Sequence, residues 1–168
     1  SIIIISTWEN ENKDLLSSLE DQNIFIIFNK EPEKSHNNIN HQILSTNTAL
    51  KFAIEKGAKA AIINKVPIGL PINFPYILVK DSMKALHSIA KYSRKRYKGN
   101  LVAITGSVGK TSTKDILTKI LSIFGLTYSS PRSFNNDLGV PLTLANIPKK
   151  ADYVICEIGM NAKGEIEP

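Results

Sequence analysis

Residues 101–124 read LVAITGSVGKTSTKDILTKILSIF, and the order of residue types in this stretch decides the fold. Leu101–Thr105 carries no charge and reads as a buried strand. Gly106-Ser107-Val108-Gly109 is a turn, and Lys110, Thr111 and Ser112 open a helical pattern. Ile116, Leu117, Ile120, Leu121 and Phe124 share one face of that helix and predict its buried side. Strand, glycine turn, Lys-Thr and helix is the layout of a phosphate-binding loop. Glycines let the backbone curl so that its N–H groups converge on one concavity. The helix start adds unsatisfied N–H donors and the positive end of its dipole. Lys110 supplies a mobile cation for the outer phosphates, and the Thr111 hydroxyl can ligate Mg²⁺. The long form of the motif, G-x-x-x-x-G-K-[ST], requires a glycine where Ile104 stands, so only the short form T-G-S-V-G-K-T-S is present. A tight strand-to-helix turn with an incidental Lys-Thr is the competing reading; the flanking strand and helix favour phosphate binding.

A chain of 168 residues holds one medium domain or two small ones, and 42% hydrophobic with 21% charged residues is ordinary globular composition. The single cysteine, Cys156, excludes an internal disulfide and fits a reducing compartment. The net charge of +6 suits phosphate-rich small ligands as well as nucleic acid. No apolar run approaches the ~20 residues of a membrane-spanning helix. Ile2–Ile5 is too short for the core of a leader peptide and reads as a strand.

Outward from the loop, the N-terminal half alternates strands and helices. Ile2–Ile5, Ile24–Phe28, Lys59–Ile63 and Tyr76–Val79 are short, apolar and β-branched or aromatic, and predict strands. Leu15, Leu16 and Leu19 are spaced for a short helix. A second helix carries Leu50, Ala53 and Ile54, with Thr46 or Asn47 as its cap and Gly57 at its end. This pattern predicts a small α/β unit over residues 1–80. Asn29–Gln42 is a polar loop; its His36 and His41 lack partners at metal-ligand spacing and read as solvated. A helix capped by Asp81 or Ser82 runs to about Tyr97, with Met83, Leu86, Ile89 and Ala90 on its apolar side. It ends in a basic cluster, Lys91 to Lys98, which reads as a solvated helix end favoured by the dipole or as a phosphate contact.

Beyond the loop helix, Leu126–Tyr128 predicts a short strand, Ser129–Asn136 a polar loop, Asp137–Asn146 a helix with Pro141 near its start, and Tyr153–Glu157 a second buried strand. Ligands collect at the carboxyl ends of parallel strands. Glu157 ends one such strand and the phosphate loop leaves another, so Glu157 is the expected metal partner of Thr111. Gly159 behind it allows close backbone approach.

Three stretches together resemble the ATP-dependent Mur ligases of peptidoglycan synthesis: T-G-S-V-G-K-T-S (105–112), S-F-N-N-D-L-G-V-P-L-T-L (133–144) and C-E-I-G-M-N-A-K-G-E-I (156–166). The first is similar to the short phosphate loop of that superfamily, the second to the N-N-x-x-G-V-P-L-T stretch of the MurF type, and the third to the family's E-x-G motif. The resemblance covers residues 45–168. The N-terminal stretch S-T-W-E-N-E-N-K-D (6–14) departs from the family's uridine-holding D-S-R-x-x-x-x-G-D-[IL]-F by lacking the Ser-Arg and the glycine.

The resemblance implies an α/β chain: an N-terminal substrate-side domain (1–80), a linking helix (81–98) and the first part of a mostly parallel ATP-binding domain (99–168). It implies ATP-dependent amide bond formation through an acyl phosphate, adding D-Ala-D-Ala to a UDP-MurNAc tripeptide, in a cytoplasmic protein that is monomeric at full length and binds neither nucleic acid nor membrane. Gly106, Ser107, Val108, Gly109, Lys110, Thr111 and Ser112 would hold the phosphates of ATP, with Lys110 catalytic. Thr111 and Glu157 would hold Mg²⁺, and Asn135 and Asn136 would touch nucleotide or substrate or structure their loop. The family's second-magnesium lysine and amino-acid-binding domain would lie beyond Pro168, so this stretch alone is expected to be inactive. A folylpolyglutamate or cyanophycin type ligase, or a catalytically incomplete nucleotide-binding fragment, are the alternatives.

Overall fold

The computed structural model describes residues 2–6, 24–28, 50–51, 54–55, 58, 60–131 and 133–160. His36, His41, the Leu15–Leu19 helix and the caps expected at 46–47 and 57 lie outside the described residues. The chain divides into two compact units, Ser1–Ala85 and Leu86–Pro168.

The first unit is built on four strands: β1 (Ile2–Ser6), β2 (Ile24–Phe28), β3 (Ala60–Ile63) and β4 (Tyr76–Leu78). They form one parallel sheet in the order β1-β2-β3-β4, with Ile2 opposite Ile24, Ile24 opposite Ala60 and Ala61 opposite Tyr76. The four apolar runs of the sequence are these four strands. Parallel neighbours require crossover connections rather than hairpins, which is why the runs are separated by long stretches. Ala61, Ile62 and Ile63 of β3 are buried, whereas Tyr76, Ile77 and Leu78 of the terminal strand β4 are exposed. Leu50, Lys51, Ile54 and Glu55 are helical, as the 3.6-residue spacing predicts.

Helix α1 (Ser82–Arg96) starts where Asp81 Oδ1 accepts the Lys84 N–H at 3.0 Å, so Asp81 is the capping residue. Leu86 and Ala90 are buried, as their spacing predicts. The last turn of α1 lies within the second unit and is held there by two bonds. Ser93 Oγ donates to the Ala145 carbonyl at 3.2 Å, and an Arg96 guanidinium nitrogen donates to the Ile147 carbonyl at 2.7 Å. Tyr97 follows, buried with Ile147, Ala151 and Val154. Its hydroxyl lies 3.1 Å from the Asn100 carbonyl and 3.0 Å from that of Asp152.

The second unit contains β5 (Asn100–Ile104), α2 (Lys110–Leu121), β6 (Thr127–Ser129), α3 (Gly139–Ala145) and β7 (Tyr153–Glu157). Its sheet is parallel in the order β5-β7-β6, so the last strand in sequence is the middle one in space. This placement buries Val154 and Ile155 completely. Two sequence expectations change here. The strand after Asn100 is only half-buried, because among the described residues it pairs on one side alone, with β7. The apolar face expected of α2 is only partly its inner side: Leu117 and Leu121 are half-buried, whereas Ile116, Ile120 and Phe124 are exposed. The helix turns Lys114 and Thr118 inward beside the two leucines, a line with the same helical spacing.

Tyr97→Phe tests the seam between α1 and the β5–β7 end of the second unit. The hydroxyl has one proton to share between the two carbonyls, and the Asp152 carbonyl also accepts the Asn100 N–H at 3.0 Å, so removing the hydroxyl is expected to cost about 1 kcal/mol. A melting temperature of the full-length protein lower by a few degrees is the expected reading, and an unchanged one would show that water replaces the phenol.

Candidate functional site

The site forms where β5 and β7 end side by side. Their register sets Ile104 opposite Glu157, and the Ile158 N–H donates to the Ile104 carbonyl at 2.8 Å. The glycine loop therefore starts beside the Glu157 carboxylate. Gly106 has φ +150° and Gly109 φ +78°. At Gly109 this left-handed conformation turns the chain into α2, and a residue with a Cβ would be strained there. Gly109 is the N-cap of α2 with no side chain capping it, so the first-turn N–H groups of Lys110, Thr111 and Ser112 face outward without an intrahelical acceptor. They form the donor set an anion needs. Lys110 Nζ lies across the loop, donating to the Gly106 carbonyl at 2.7 Å. Ser107 and Val108 are exposed at the loop tip.

Below the loop sits a polar cluster. Thr111 Oγ1 donates to Glu157 Oε1 at 3.1 Å and lies 3.2 Å from Ser133 Oγ. Asn135 Nδ2 donates to the same Glu157 oxygen at 2.8 Å. The backbone holds Asn135 in place: its carbonyl accepts the Gly159 N–H at 2.7 Å. A Cβ at Gly159 would come within 3.0 Å of the Asn135 side chain, which is the close approach the sequence predicts for this glycine. Asn136 turns the other way and its Oδ1 accepts the Gly139 N–H at 2.7 Å, fixing the start of α3.

The other oxygen of Glu157, Oε2, is buried without a hydrogen bond and faces Lys114 Nζ at 3.8 Å. Glu157 is 1% exposed and Lys114 2%. Both are tied to Ser130: Lys114 Nζ donates to its carbonyl at 3.1 Å, and the Glu157 N–H donates to its hydroxyl at 3.3 Å. Next to Glu157, burial and the neighbouring carboxylate push the Cys156 thiol up to about 11, so it is a neutral packing group near pH 7.

The structure thus brings Thr111, Asn135 and Glu157 into direct contact, sets Lys110 over the same loop, and leaves Ser107, Val108 and Ser112 at its exposed rim. Sequence reasoning missed Lys114, Ser130 and Ser133. For Lys114 a signal existed: it lies three residues after Thr111 and four after Lys110, hence on the same helix face. Lysines on amphipathic helices read as solvated by default, since a fully buried one is rare. The basic end of α1 also contributes: Lys91, Arg94 and Lys95 line the same groove as Lys110, Asn135 and Asn136.

A parallel strand, a glycine loop at its carboxyl end, a Lys-Thr helix start and a strand-end carboxylate define a phosphate-loop nucleotide-binding domain. Comparison with known proteins narrows the class. Residues 104–168 match the Mur ligase middle domain. The UDP-N-acetylmuramoyl-tripeptide–D-alanyl-D-alanine ligase of Rickettsia prowazekii is 43% identical over 117 residues, which is 70% of this chain and 26% of that protein. Its Escherichia coli counterpart is 39% identical over 110 residues, 66% of this chain and 24% of that protein. In three dimensions the chain is similar to a crystal structure of MurF from Acinetobacter baumannii, with a TM-score of 0.67 and 27% identity, over 97% of this chain and 31% of the other. The chain belongs to the Mur ligase family and is similar there to the MurF type. It spans about a quarter of the length of the curated relatives it matches.

The contact between Gly159 and Asn135 is testable as a pair. Gly159→Ala is expected to destabilise the full-length protein, and to do so less in an Asn135→Ala background, where the side chain it crowds is gone. A double-mutant cycle read by denaturant melts should return a coupling of about 0.5 kcal/mol or more. Additive effects would show that the glycine is not needed for this contact.

Proposed function

We propose that this chain contributes the phosphate- and metal-binding part of an ATP-dependent ligase that joins D-alanyl-D-alanine to UDP-N-acetylmuramoyl-tripeptide in peptidoglycan precursor synthesis. The observation that carries the reading is the buried contact between Thr111 Oγ1 and Glu157 Oε1, 3.1 Å long, directly beneath the glycine loop. The residues present fit a magnesium nucleotide. A hydroxyl and a carboxylate oxygen are hard donors of the kind Mg²⁺ takes, and one or two such protein ligands beside phosphate oxygens are its usual set. Oε1 is the Glu157 oxygen turned toward Thr111, while Oε2 faces Lys114 Nζ at 3.8 Å. Among the described residues no group of three His, Cys, Asp or Glu side chains converges on a metal position.

In this reading the backbone N–H groups from Gly106 to Ser112 bind the phosphate chain, and Thr111 and Glu157 hold the metal, which would neutralise phosphate charge. Lys110 leaves the Gly106 carbonyl to meet the outer phosphate, stabilising the charge that grows as the phosphoryl group moves to the substrate carboxylate. Asn135 keeps Glu157 Oε1 oriented toward Thr111. The amine of the dipeptide then attacks the activated carboxylate, and phosphate leaves. Residues 1–80 serve as the substrate-side domain, 81–98 as the link and 99–168 as the start of the ATP-binding domain. The cationic edge of α1 favours a substrate carrying diphosphate and carboxylates, and the protein acts as a monomer in the cytoplasm, apart from nucleic acid and membrane. Among the described residues no helix is long and apolar enough to cross a membrane.

Lys110→Ala and Glu157→Gln in the full-length protein test this directly. Each should lower ATP-dependent ligation by roughly 100-fold or more, with the melting temperature of Lys110→Ala little changed because its bond to the Gly106 carbonyl is an exposed one. Phosphate release coupled to product formation is the measurement. Undiminished turnover in Lys110→Ala would rule the assignment out.

A further inference from the structure

Two lines of residues run side by side along α1. Leu86, Ala90, Ser93 and Tyr97 form the buried one. One position further round, Lys91, Arg94 and Lys98 form the other, with Lys95 beside them, and all four are exposed. These cations line a groove within the second unit, whose floor includes Ala90, Val140, Leu144 and Met160. Asp137 is the one carboxylate lining it among the described residues. Among those residues none of the four cations is ion-paired. Lys91 repels Lys95 and Arg94 repels Lys98, since like charges four positions apart on a helix are neighbours. The helix dipole favours cations in the last turn, where Arg94, Lys95 and Arg96 lie. It does not account for Lys91, which precedes that turn. Nor does it account for the gathering of charge on the groove side, since Arg96 of the same turn is spent inward on the Ile147 carbonyl.

We propose that the line Lys91, Arg94, Lys95 and Lys98 captures and holds the negative charges of the acyl substrate, and that ATP does not use it. The inference rests on the ligase reading above and adds to it the residues that select the second substrate. The groove meets the phosphate loop at Lys110, while Gly106 to Gly109 and Thr111 do not line it. A ligand in the groove thus ends at the residue that meets the outer phosphate in that reading, and leaves free the N–H donors that bind the phosphate chain. This is the place of the group that receives the phosphoryl, not of the nucleotide that gives it. Asn135 also lines the groove and donates to Glu157 Oε1 at 2.8 Å, so the groove ends beside the same polar cluster. The cationic line extends over two turns, roughly 10 Å. That is longer than one carboxylate or phosphate and matches a ligand with several charges in succession. The apolar floor suits the uncharged parts between them. A concave wall of one sign of charge also raises the local concentration of an anionic ligand and speeds its capture.

The experiment measures binding of UDP-N-acetylmuramoyl-tripeptide and, separately, of a non-hydrolysable ATP analogue to the full-length protein by calorimetry. It compares the wild type with a triple variant, Lys91→Gln, Arg94→Gln and Lys95→Gln, and with a charge-keeping pair, Lys91→Arg and Lys95→Arg. At low salt the triple variant should bind the tripeptide substrate about tenfold more weakly and the analogue within about twofold of the wild type. Raising the ionic strength to about 0.5 M should shrink the difference for the tripeptide substrate. The charge-keeping pair should bind both ligands as the wild type does. In turnover, KM for the tripeptide substrate should rise while KM for ATP and kcat stay close to the wild type. Retained analogue binding also reports that the variant is folded. Unchanged binding of the tripeptide substrate would show a solvated helix end. Equal weakening of both ligands would show a charge that serves the nucleotide or the fold, and a loss independent of salt would show that charge is not the cause. Each of these three overturns the proposal. A wild type that binds the analogue but not the tripeptide substrate would instead defeat the ligase reading, and this inference with it.

Discussion

A carboxylate that is 1% exposed at the end of the central strand is the constraint on which the second unit depends. An isolated buried carboxylate is so unfavourable that its surroundings must be arranged around it. Here they are: a lysine from α2, a serine from the loop after β6, a threonine from the first turn of α2 and an asparagine from the loop before α3 all converge on Glu157. They come from three stretches of chain, α2 and two loops. The charge therefore acts as a keystone that fixes α2 and two loops relative to the sheet before any ligand arrives.

The same charge explains the orientation of α2. Of the apolar face expected of the helix, Leu117 and Leu121 turn inward beside Lys114 and Thr118, while Ile116 and Ile120 stay outside. Hydrophobicity alone favours turning the isoleucines inward as well, at roughly 25 cal/mol for each Å² removed from water. The phosphate loop allows no such choice. Gly109 sets where the helix starts, and Thr111 must reach Glu157. With the first turn pinned, Lys114 falls one turn further along the same side, and the isoleucines point elsewhere. The contact between Thr111 and Glu157 thus fixes a rotation that satisfies only part of the hydrophobic pattern.

That conflict marks the boundary of what the sequence reveals. Strand existence was legible because β2, β3 and β7 are short apolar runs with little else they could be, whereas the order of the strands in each sheet was not. The loop was legible because glycine, lysine and threonine at those spacings have few structural uses. Glu157 was legible because acidic residues are rare at the end of an apolar strand. The burial of α2 was partly misread because periodicity reports where apolar groups lie and not which side a tertiary contact claims. The half-exposure of β5 was misread because an uncharged run looks alike at an edge and in the middle of a sheet. Lys114 was missed since its burial depends on a partner 43 positions away, Glu157, and no local pattern carries that information.

Ile104 ties these strands of argument together. The long form of the phosphate-loop motif has a glycine at this position, and a glycine weakens a strand. With isoleucine there, β5 remains a paired strand up to the residue beside Glu157, and the Ile104 carbonyl accepts the Ile158 N–H at 2.8 Å. The loop then has only Thr105 to Gly109 in which to turn, and it turns directly above the carboxylate. The pairing of Ile104 with Glu157 thus holds the donor loop and the acidic strand end in one register.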